Sequence, residues 1–496
     1  MALNAAAVAD AVRAVGVRCE LIGDGSVEVI GATHDSRAVE HGSMFACLRG
    51  AAFDGHTFAD SAVAAGASAL LVDHELTGAT GATQLVVDDT RIAVGPAAAA
   101  VYGHPSDALV TVGITGTNGK TTTAQLVATI LDDVGHRTGV IGTLHGPRTT
   151  PEAADLQQTL AGFVTDGNTA AVMEVSSHAL ALHRVDGTTF DVVAFTNFGQ
   201  DHLDLHETVE EYFRAKSMLF DRSFAPIAVV NVDDPHGRVL ADVLTDRTGD
   251  DSMRVVEISV DEVTDVAVEA GRHSYRWRGH DVDVPIGGDF NVANSLAALT
   301  IAAELGIDLD AAVAGVARLS TVPGRFERVE SAAADRRGIS VVVDYAHTPD
   351  GLEQLLMSAR RVVGPDHRVI VTFGCGGDRD RDKRPAMGDV SSRLADRTIV
   401  TSDNPRTEDP ARIIDDVLSG VGEEYRSSTT SNPDRRAAIA EALDVAERGD
   451  IVLIAGKGHE ATQDLGDVVI DFDDRRVAMA LLDADAPLAE ERTHTS

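Results

Sequence analysis

Residues 109–134 read LVTVGIT, GTNG and KTTTAQLVATILDDV without a break. A β-branched run that passes through glycines straight into an amphipathic helix is a strand, a tight loop and a helix. A strand followed at once by a helix belongs to a parallel sheet, whose strands need crossover connections. The alternation recurs in TGVIGT, TAAVMEV, FDVVAFTNF and PIAVVNVDD, each followed by a helical pattern. After VPGR (Val322–Arg325) it begins again with ISVVVDYAHTPD, RVIVTFGCGGDRD, RTIVTSDNPRTEDP and DIVLIAGKGHE. The fold class is therefore α/β, built on parallel sheets. Each of the last runs ends in a polar cluster, and doubly wound sheets bind ligands at the carboxyl ends of their strands, so a second ligand-binding domain is expected there.

At 496 residues the chain exceeds one core, and about three domains are expected. Breaks fall at HPSD (His104–Asp107) and at VPGR, giving domains of 1–107, 108–322 and 323–496. A more polar patch from about 250 to 285, holding the single tryptophan, Trp277, reads as a β-rich insertion. The N-terminus MALNAAAVADAVRAVG is an amphipathic helix carrying Asp10 and Arg13 and not a signal peptide. No apolar run reaches the roughly 18 residues of a membrane span. Three widely spaced cysteines, Cys19, Cys47 and Cys375, frame neither disulfides nor a zinc site. A soluble, cytoplasmic monomer is expected.

The formal net charge of -36 argues against a nucleic-acid partner, because phosphate backbones bind clustered positive charge. It suits solubility and a saline habitat. An anionic ligand would then need positive charge or metal concentrated at its own site. Only four of the 42 basic residues are lysines: Lys120, Lys216, Lys383 and Lys457. Where arginine has displaced lysine this far, a retained lysine marks a place that a guanidinium does not serve.

Lys120 closes the loop after the first strand. Gly116 and Gly119 let backbone N–H groups around Thr117 and Asn118 point inward, Lys120 neutralises phosphates, and the Thr121 hydroxyl, followed by Thr122, suits Mg2+. Ile114 stands where the general G-x-x-x-x-G-K-[ST] spacing has its first glycine. The strand-loop-helix context points to a nucleotide site using ATP and Mg2+.

TGTNGKTT, MEVSSHALALHRV, TNFGQDHLDLH with RAKSMLF, DNPRTEDP and GKGHE occur in one order. Together they resemble the Mur ligases, ATP-dependent amide-forming enzymes of peptidoglycan synthesis, and among them the MurE type, which extends UDP-N-acetylmuramoyl-L-alanyl-D-glutamate. The resemblance covers nearly the whole chain. It implies an N-terminal UDP-substrate-binding domain, a central P-loop ATPase-like domain with a parallel sheet, and a C-terminal Rossmann-like domain that brings the amino acid. It also implies that ATP converts a carboxylate to an acyl phosphate, which an amine captures. That chemistry rests on positioning and charge neutralisation.

The resemblance assigns roles by position. Lys216 matches a lysine that carries CO2 as a carbamate (N6-carboxylysine) and so becomes an anionic ligand for a second Mg2+, which an arginine cannot do. Glu174 and His202 match the other metal contacts, Glu174 being the harder ligand. With Lys120 these make the expected catalytic set. Asn291 matches the adenine contact, since an amide donates and accepts, although an asparagine at a helix start is also a cap. Arg325 and Asp344 match phosphate and ribose contacts.

Ser36, Thr149, Thr150, Ser176 and Arg184 match contacts to the UDP-muramyl dipeptide. His34 fits no defined pattern, and Leu182 departs from a glutamine found in relatives. Arg379, Asp403, Asn404, Pro405, Arg406, Gly456 and Glu460 match the amino-acid set. The form DNPR goes with meso-diaminopimelate, whose far carboxylate an arginine fork holds while Glu460 suits an ammonium. An Asn-Pro pair is also a turn signal. Lys383 is as readily a surface charge as a phosphate contact, and Lys457 is expected to face the same cleft. The alternatives are a lysine-adding MurE-type ligase, a folylpolyglutamate synthase-like ligase, which should lack HDSR and DNPR, and a nucleotide-dependent switch that makes no bond.

Overall fold

The computed structural model describes residues 3–50, 53–78, 81–199 and 208–484. These form two compact units: the first from Met1–Phe198, Leu205–Ser259 and Ala297–Gly315, the second from Gly199–Asp204, Val260–Leu296 and Val316–Ser496.

The first unit carries two sheets. The N-terminal one orders its strands Cys19–Ile22, Thr83–Val87, Ala69–Val72, Ser43–Ala46 and Gly31–Thr33, parallel apart from the first. The expected N-terminal helix spans Ala5–Ala14, where Asn4 caps it by accepting from the Ala7 N–H at 2.9 Å. Val8 and Val12 join Leu71, Leu85 and Ala93, Ala97 and Ala98 of helix Thr90–Val101 in one core.

The central sheet is wholly parallel, ordered Arg254–Ile258, Ile227–Asn231, Val192–Phe195, Val110–Thr115, Ala170–Glu174 and Thr138–Ile141. Helices cover parallel sheets on both faces, which is why these strands read as continuous apolar runs. The chain first places Thr138–Ile141 at the edge and Ala170–Glu174 inside it on one side of Val110–Thr115, and then builds outward on the other. That strand therefore lies at the topological switch point, where such sheets bind ligands. Strand Arg254–Ile258, read from sequence as the start of an insertion, instead forms this sheet's edge.

In the second unit, Thr264–Val268, His273–Trp277 and His280–Val284 form a separate antiparallel sheet. Its inner face places His273 out of water, with Nδ1 2.7 Å from the Ile286 carbonyl and Nε2 2.9 Å from Ser295 Oγ. Burial draws the His273 pKa down to about 4, so the ring is neutral at ordinary pH. The larger sheet is ordered Glu327–Arg328, Ser340–Asp344, Ile451–Ala455, Val369–Phe373, Arg397–Thr401 and Thr429–Asn432, with only the first strand antiparallel.

A buried ion pair closes this unit. Arg435 opens helix Arg435–Asp444 and donates to both oxygens of Asp474 at 2.8 and 2.7 Å, while its other donors reach the carbonyls of Ser402 and Ala455. Asp474 begins the last helix, Asp474–Ala484, and both side chains are fully buried. Such a pair survives burial because each of the three guanidinium nitrogens finds an acceptor. Among the described residues no helix is long and apolar enough to cross a membrane. The three cysteines are buried thiols, and burial pushes Cys47 and Cys375 up to about 12.

Candidate active site

The phosphate loop joins strand Val110–Thr115 to helix Lys120–Asp133. Gly119 caps the helix with φ +84°, a conformation that favours glycine. Gly116 has φ +147°, and a Cβ there would fall 1.9 Å from Thr196 Oγ1. The loop is braced from the next strand end: the Thr117 N–H donates to the Asn197 carbonyl at 2.9 Å and the Asn118 N–H to Asn197 Oδ1 at 2.8 Å. Lys120 Nζ folds back onto the carbonyls of Gly116 and Thr117, both at 2.8 Å. Thr122 is buried in the first helical turn.

Glu174 ends the neighbouring strand and is 1% exposed, a carboxylate kept from water at a strand end. It accepts from Thr121 Oγ1 at 3.0 Å and from the Thr143 N–H at 2.9 Å. A Cβ on Gly142 would lie 2.2 Å from Glu174 Oε1. Lys216, on helix Val209–Ser217, is equally buried and donates to the Gly116 carbonyl at 2.8 Å. Its ammonium sits 4.4 Å from the Tyr212 ring centroid, and the Tyr212 hydroxyl is 3.2 Å from Thr117 Oγ1. Gly116 thus contacts two of the four lysines through one carbonyl. His202 lies outside the described residues.

Thr150, Ser176 and Arg184 are brought together beside Glu174. Thr150 Oγ1 donates to the Glu174 carbonyl at 2.9 Å and accepts from the Ser176 N–H at 3.1 Å, while Thr149 Oγ1 is 3.0 Å from Thr143 Oγ1. Arg184 donates to the Thr150 carbonyl at 3.3 Å and pairs with Glu152 at 2.8 Å. Burial lowers the Arg184 pKa, and Glu152 works against that shift. Leu182 is the C-cap of the short helix Ser177–Ala181. A cleft of about 1440 Å3 in this unit is lined by His34, Asp35 and Arg37, which flank Ser36 in sequence, and by Arg148 and Glu152. Burial raises the pKa of Asp155, on the same cleft wall.

The second unit holds the remaining matched residues. Asn291, fully buried near the start of helix Phe290–Glu304, donates to the Gly287 carbonyl at 2.6 Å and accepts from Asn294 Nδ2 at 2.8 Å. Its amide is thus engaged on both sides at the helix start. Asp344 accepts from the N–H groups of Phe326 and Ala346 at 2.7 and 2.8 Å, while burial raises its pKa. The Arg325 guanidinium lies 4.5 Å over the Tyr345 ring.

Asp403, Asn404 and Pro405 follow strand Arg397–Thr401 and are buried. Arg406 is half-buried with φ +53° and donates to the Gly377 carbonyl at 2.7 Å. Asn404 Nδ2 donates to Glu460 Oε2 at 2.8 Å. Gly456 has φ +107°, and a Cβ there would sit 2.9 Å from Asp403 Oδ2. Arg379 is exposed on the loop after strand Val369–Phe373, and Lys383 is half-buried at the first residue of helix Lys383–Leu394. Lys457 is 0% exposed, and its Nζ lies within hydrogen-bond distance of Asn404 and Glu460.

Three family models match in succession: "Mur ligase family, catalytic domain" at 28–103, "Mur ligase middle domain" at 114–302 and "Mur ligase, glutamate ligase domain" at 324–458. The chain is 44% identical over 478 residues to a UDP-N-acetylmuramoyl-L-alanyl-D-glutamate–2,6-diaminopimelate ligase of Streptomyces coelicolor, covering 92% of each chain. The chain belongs to the Mur ligase family. A Thermosynechococcus vestitus relative of the same name is 45% identical over 457 residues, covering 88% of this chain and 90% of that one. A solved ligase structure, again of that name, superimposes with a TM-score of 0.68 at 32% identity, covering 98% of this chain and all of that one.

This Mur ligase therefore has three domains of α/β architecture with parallel sheets, and it is an ATP-dependent amide ligase. Enzymes of the Mur ligase family use ATP and Mg2+. Its residues suit both. A Cβ on Gly116 would collide with Thr196, Gly119 has the left-handed φ that favours glycine, and the oxygens of Thr121 and Glu174 are hard donors of the kind Mg2+ prefers.

Several supporting residues escaped sequence reasoning: Thr143, Asn197, Tyr212 and Glu152. The polar ends of TGVIGT and FDVVAFTNF carried a signal for the first two. The contacts of Tyr212 with Thr117 and of Glu152 with Arg184 span long stretches of sequence and left none. His56, Asp73 and His74 also have metal-ligand spacing, but Arg49 Nε already lies 2.7 Å from Asp73 Oδ2, where a metal would meet an existing cation.

Proposed function

We propose that this Mur ligase adds meso-diaminopimelate to the D-glutamyl carboxylate of UDP-N-acetylmuramoyl-L-Ala-D-Glu, in the cytoplasmic assembly of peptidoglycan precursors. The observation that carries this reading is the DNPR loop: Asn404 bonds Glu460, and Arg406 stands two residues along the same loop. A carboxylate for an ammonium and a guanidinium for a carboxylate suit an amino acid charged at both ends. Lysine would bring a cation toward Arg406.

The domains divide at 107/108 and 322/323 in this reading. Gly116, Thr117, Asn118, Gly119, Lys120, Thr121 and Thr122 hold the phosphates of ATP, with Asn291, Arg325 and Asp344 for base, phosphate and ribose. Ser36, Thr149, Thr150, Ser176 and Arg184 hold the UDP-muramyl dipeptide. Arg379, Asp403, Asn404, Pro405, Arg406, Gly456 and Glu460 hold diaminopimelate. Thr121, Glu174, His202 and Lys216, the last as N6-carboxylysine, hold Mg2+, which supplies neutralisation of phosphate charge. The buried Glu174 and Lys216 flank the loop whose N–H groups would meet the phosphates.

A D-glutamyl carboxylate oxygen takes the terminal phosphoryl group and ADP leaves. The amine of diaminopimelate then attacks the acyl carbon, inorganic phosphate leaves, and one proton is lost from the nitrogen. Lys120 offsets charge that moves between phosphates, and Arg184 orients the acceptor.

Incubating the purified protein with ATP, Mg2+, UDP-muramyl dipeptide and diaminopimelate should yield one ADP and one phosphate per tripeptide, read by mass spectrometry. Lysine in place of diaminopimelate should give little product. Phosphate release that needs neither organic substrate would overturn the reading in favour of a nucleotide switch.

A further inference from the structure

Lys457 follows strand Ile451–Ala455, and its whole side chain is withdrawn from solvent. Its Nζ donates to Asn404 Oδ1 at 3.3 Å, to Glu460 Oε2 at 3.2 Å and to the Thr462 carbonyl at 2.6 Å. Asn404 completes the ring, since its Nδ2 donates to the same Glu460 oxygen at 2.8 Å and its Oδ1 also accepts from the Asp464 N–H at 2.9 Å. One ammonium therefore joins the loop after strand Arg397–Thr401 to the residues after strand Ile451–Ala455.

The choice of lysine follows from shape. An ammonium offers three donors in a compact tetrahedral fan, which matches three acceptors converging from different segments. A guanidinium is planar and larger and cannot address the same three points. This chain uses arginine nearly everywhere else, so the amine at 457 is kept for its geometry. Without it, oxygens of Asn404, Glu460 and Thr462 would lose a buried donor. Glu460 itself is one-third exposed, at 35%, so its carboxylate is held from beneath with part of it open to a ligand.

We propose that Lys457 is a positioning residue for the amino-acid substrate, fixing Asn404 and the Glu460 carboxylate so that Glu460 meets an incoming ammonium group. This rests on the reading above that these residues bind diaminopimelate. Lys457 does not touch that substrate. It sets the orientation of the groups that do.

The test is steady-state kinetics of K457M and K457R beside the wild type, with E460Q and the double variant K457M/E460Q. The KM for diaminopimelate should rise roughly tenfold to a hundredfold in both single lysine variants, with the KM for ATP unchanged. Arginine should not rescue, since charge without the tetrahedral fan is insufficient. The double variant should be no worse than E460Q alone, because the two residues act as one unit.

A KM for diaminopimelate that stays at the wild-type value, an equal rise for both substrates, or full rescue by K457R overturns the positioning role. If K457M does not fold, K457R and E460Q decide the question. Wild-type protein that makes tripeptide while the variants keep their KM refutes only this inference. Wild-type protein that ligates another amino acid refutes the substrate assignment, and the same comparison with that amino acid then judges Lys457.

Discussion

Thr121 donates its hydroxyl to Glu174 Oε2 at 3.0 Å, tying the first turn after the phosphate loop to the end of the adjacent parallel strand. The pair holds two hard oxygen donors side by side at the switch point of the central sheet. Glu174→Gln keeps the volume but replaces one acceptor oxygen with a donor. It should lower kcat by on the order of a hundredfold and raise the Mg2+ concentration needed for half-maximal rate. A magnesium titration of tripeptide formation checks this, and an unaltered requirement would remove Glu174 from the metal site.

Lys216 shares the Gly116 carbonyl with Lys120. Lys216→Ala should be nearly inactive and partly restored by a short carboxylate such as acetate, which substitutes for a carbamate. Lys216→Arg should be inactive without rescue, because a guanidinium does not take up CO2. Carbon-13 bicarbonate gives a direct reading: a carbamate resonance present in the wild type and missing from both variants. Wild-type activity in Lys216→Ala would exclude the carbamate.

Arg406 is held in the left-handed region while its guanidinium reaches the Gly377 carbonyl. Arg406→Ala should raise the KM for diaminopimelate roughly tenfold to a hundredfold, leave the KM for ATP unchanged and narrow the preference over lysine. Equal loss for both substrates would show that the residue supports the fold and not selectivity.

His273 links acidity to stability in the second unit. Its folded pKa, about 4, lies below its ordinary value of 6.5, so the unfolded chain takes up the proton first. The contribution is complete above about pH 6.5 and is lost as pH falls toward 4, reaching about 3 kcal/mol. Urea denaturation at a series of pH values should show the difference between wild type and His273→Gln shrinking as acidity increases. A difference independent of pH would mean that the imidazole is not held neutral.

Strand existence and order of function were legible because parallel strands are buried on both faces: TAAVMEV and ISVVVDY could only be strands, and they became Ala170–Glu174 and Ser340–Asp344. Pairing was less legible. Arg254–Ile258 completes the central sheet through a register with Ile227–Asn231 that no local pattern announces. At the site, residues inside a motif were legible as candidates, and residues that contact them across the sequence, such as Tyr212 at Thr117, were not. Lys457 was legible as a candidate, but its burial was not. A lysine between two glycines reads the same whether it is open to solvent or withdrawn from it, and only the convergence of Asn404, Glu460 and Thr462 shows which.

The bidentate bridge between Arg435 and Asp474 sets a limit on trimming the chain. A truncation that stops before Asp474 strands a positive charge inside the domain, at a cost of about 3–5 kcal/mol added to that of the apolar contacts deleted with the helix. Asp474 is in this sense an internal counter-ion, and shortened variants should lose solubility abruptly at that residue.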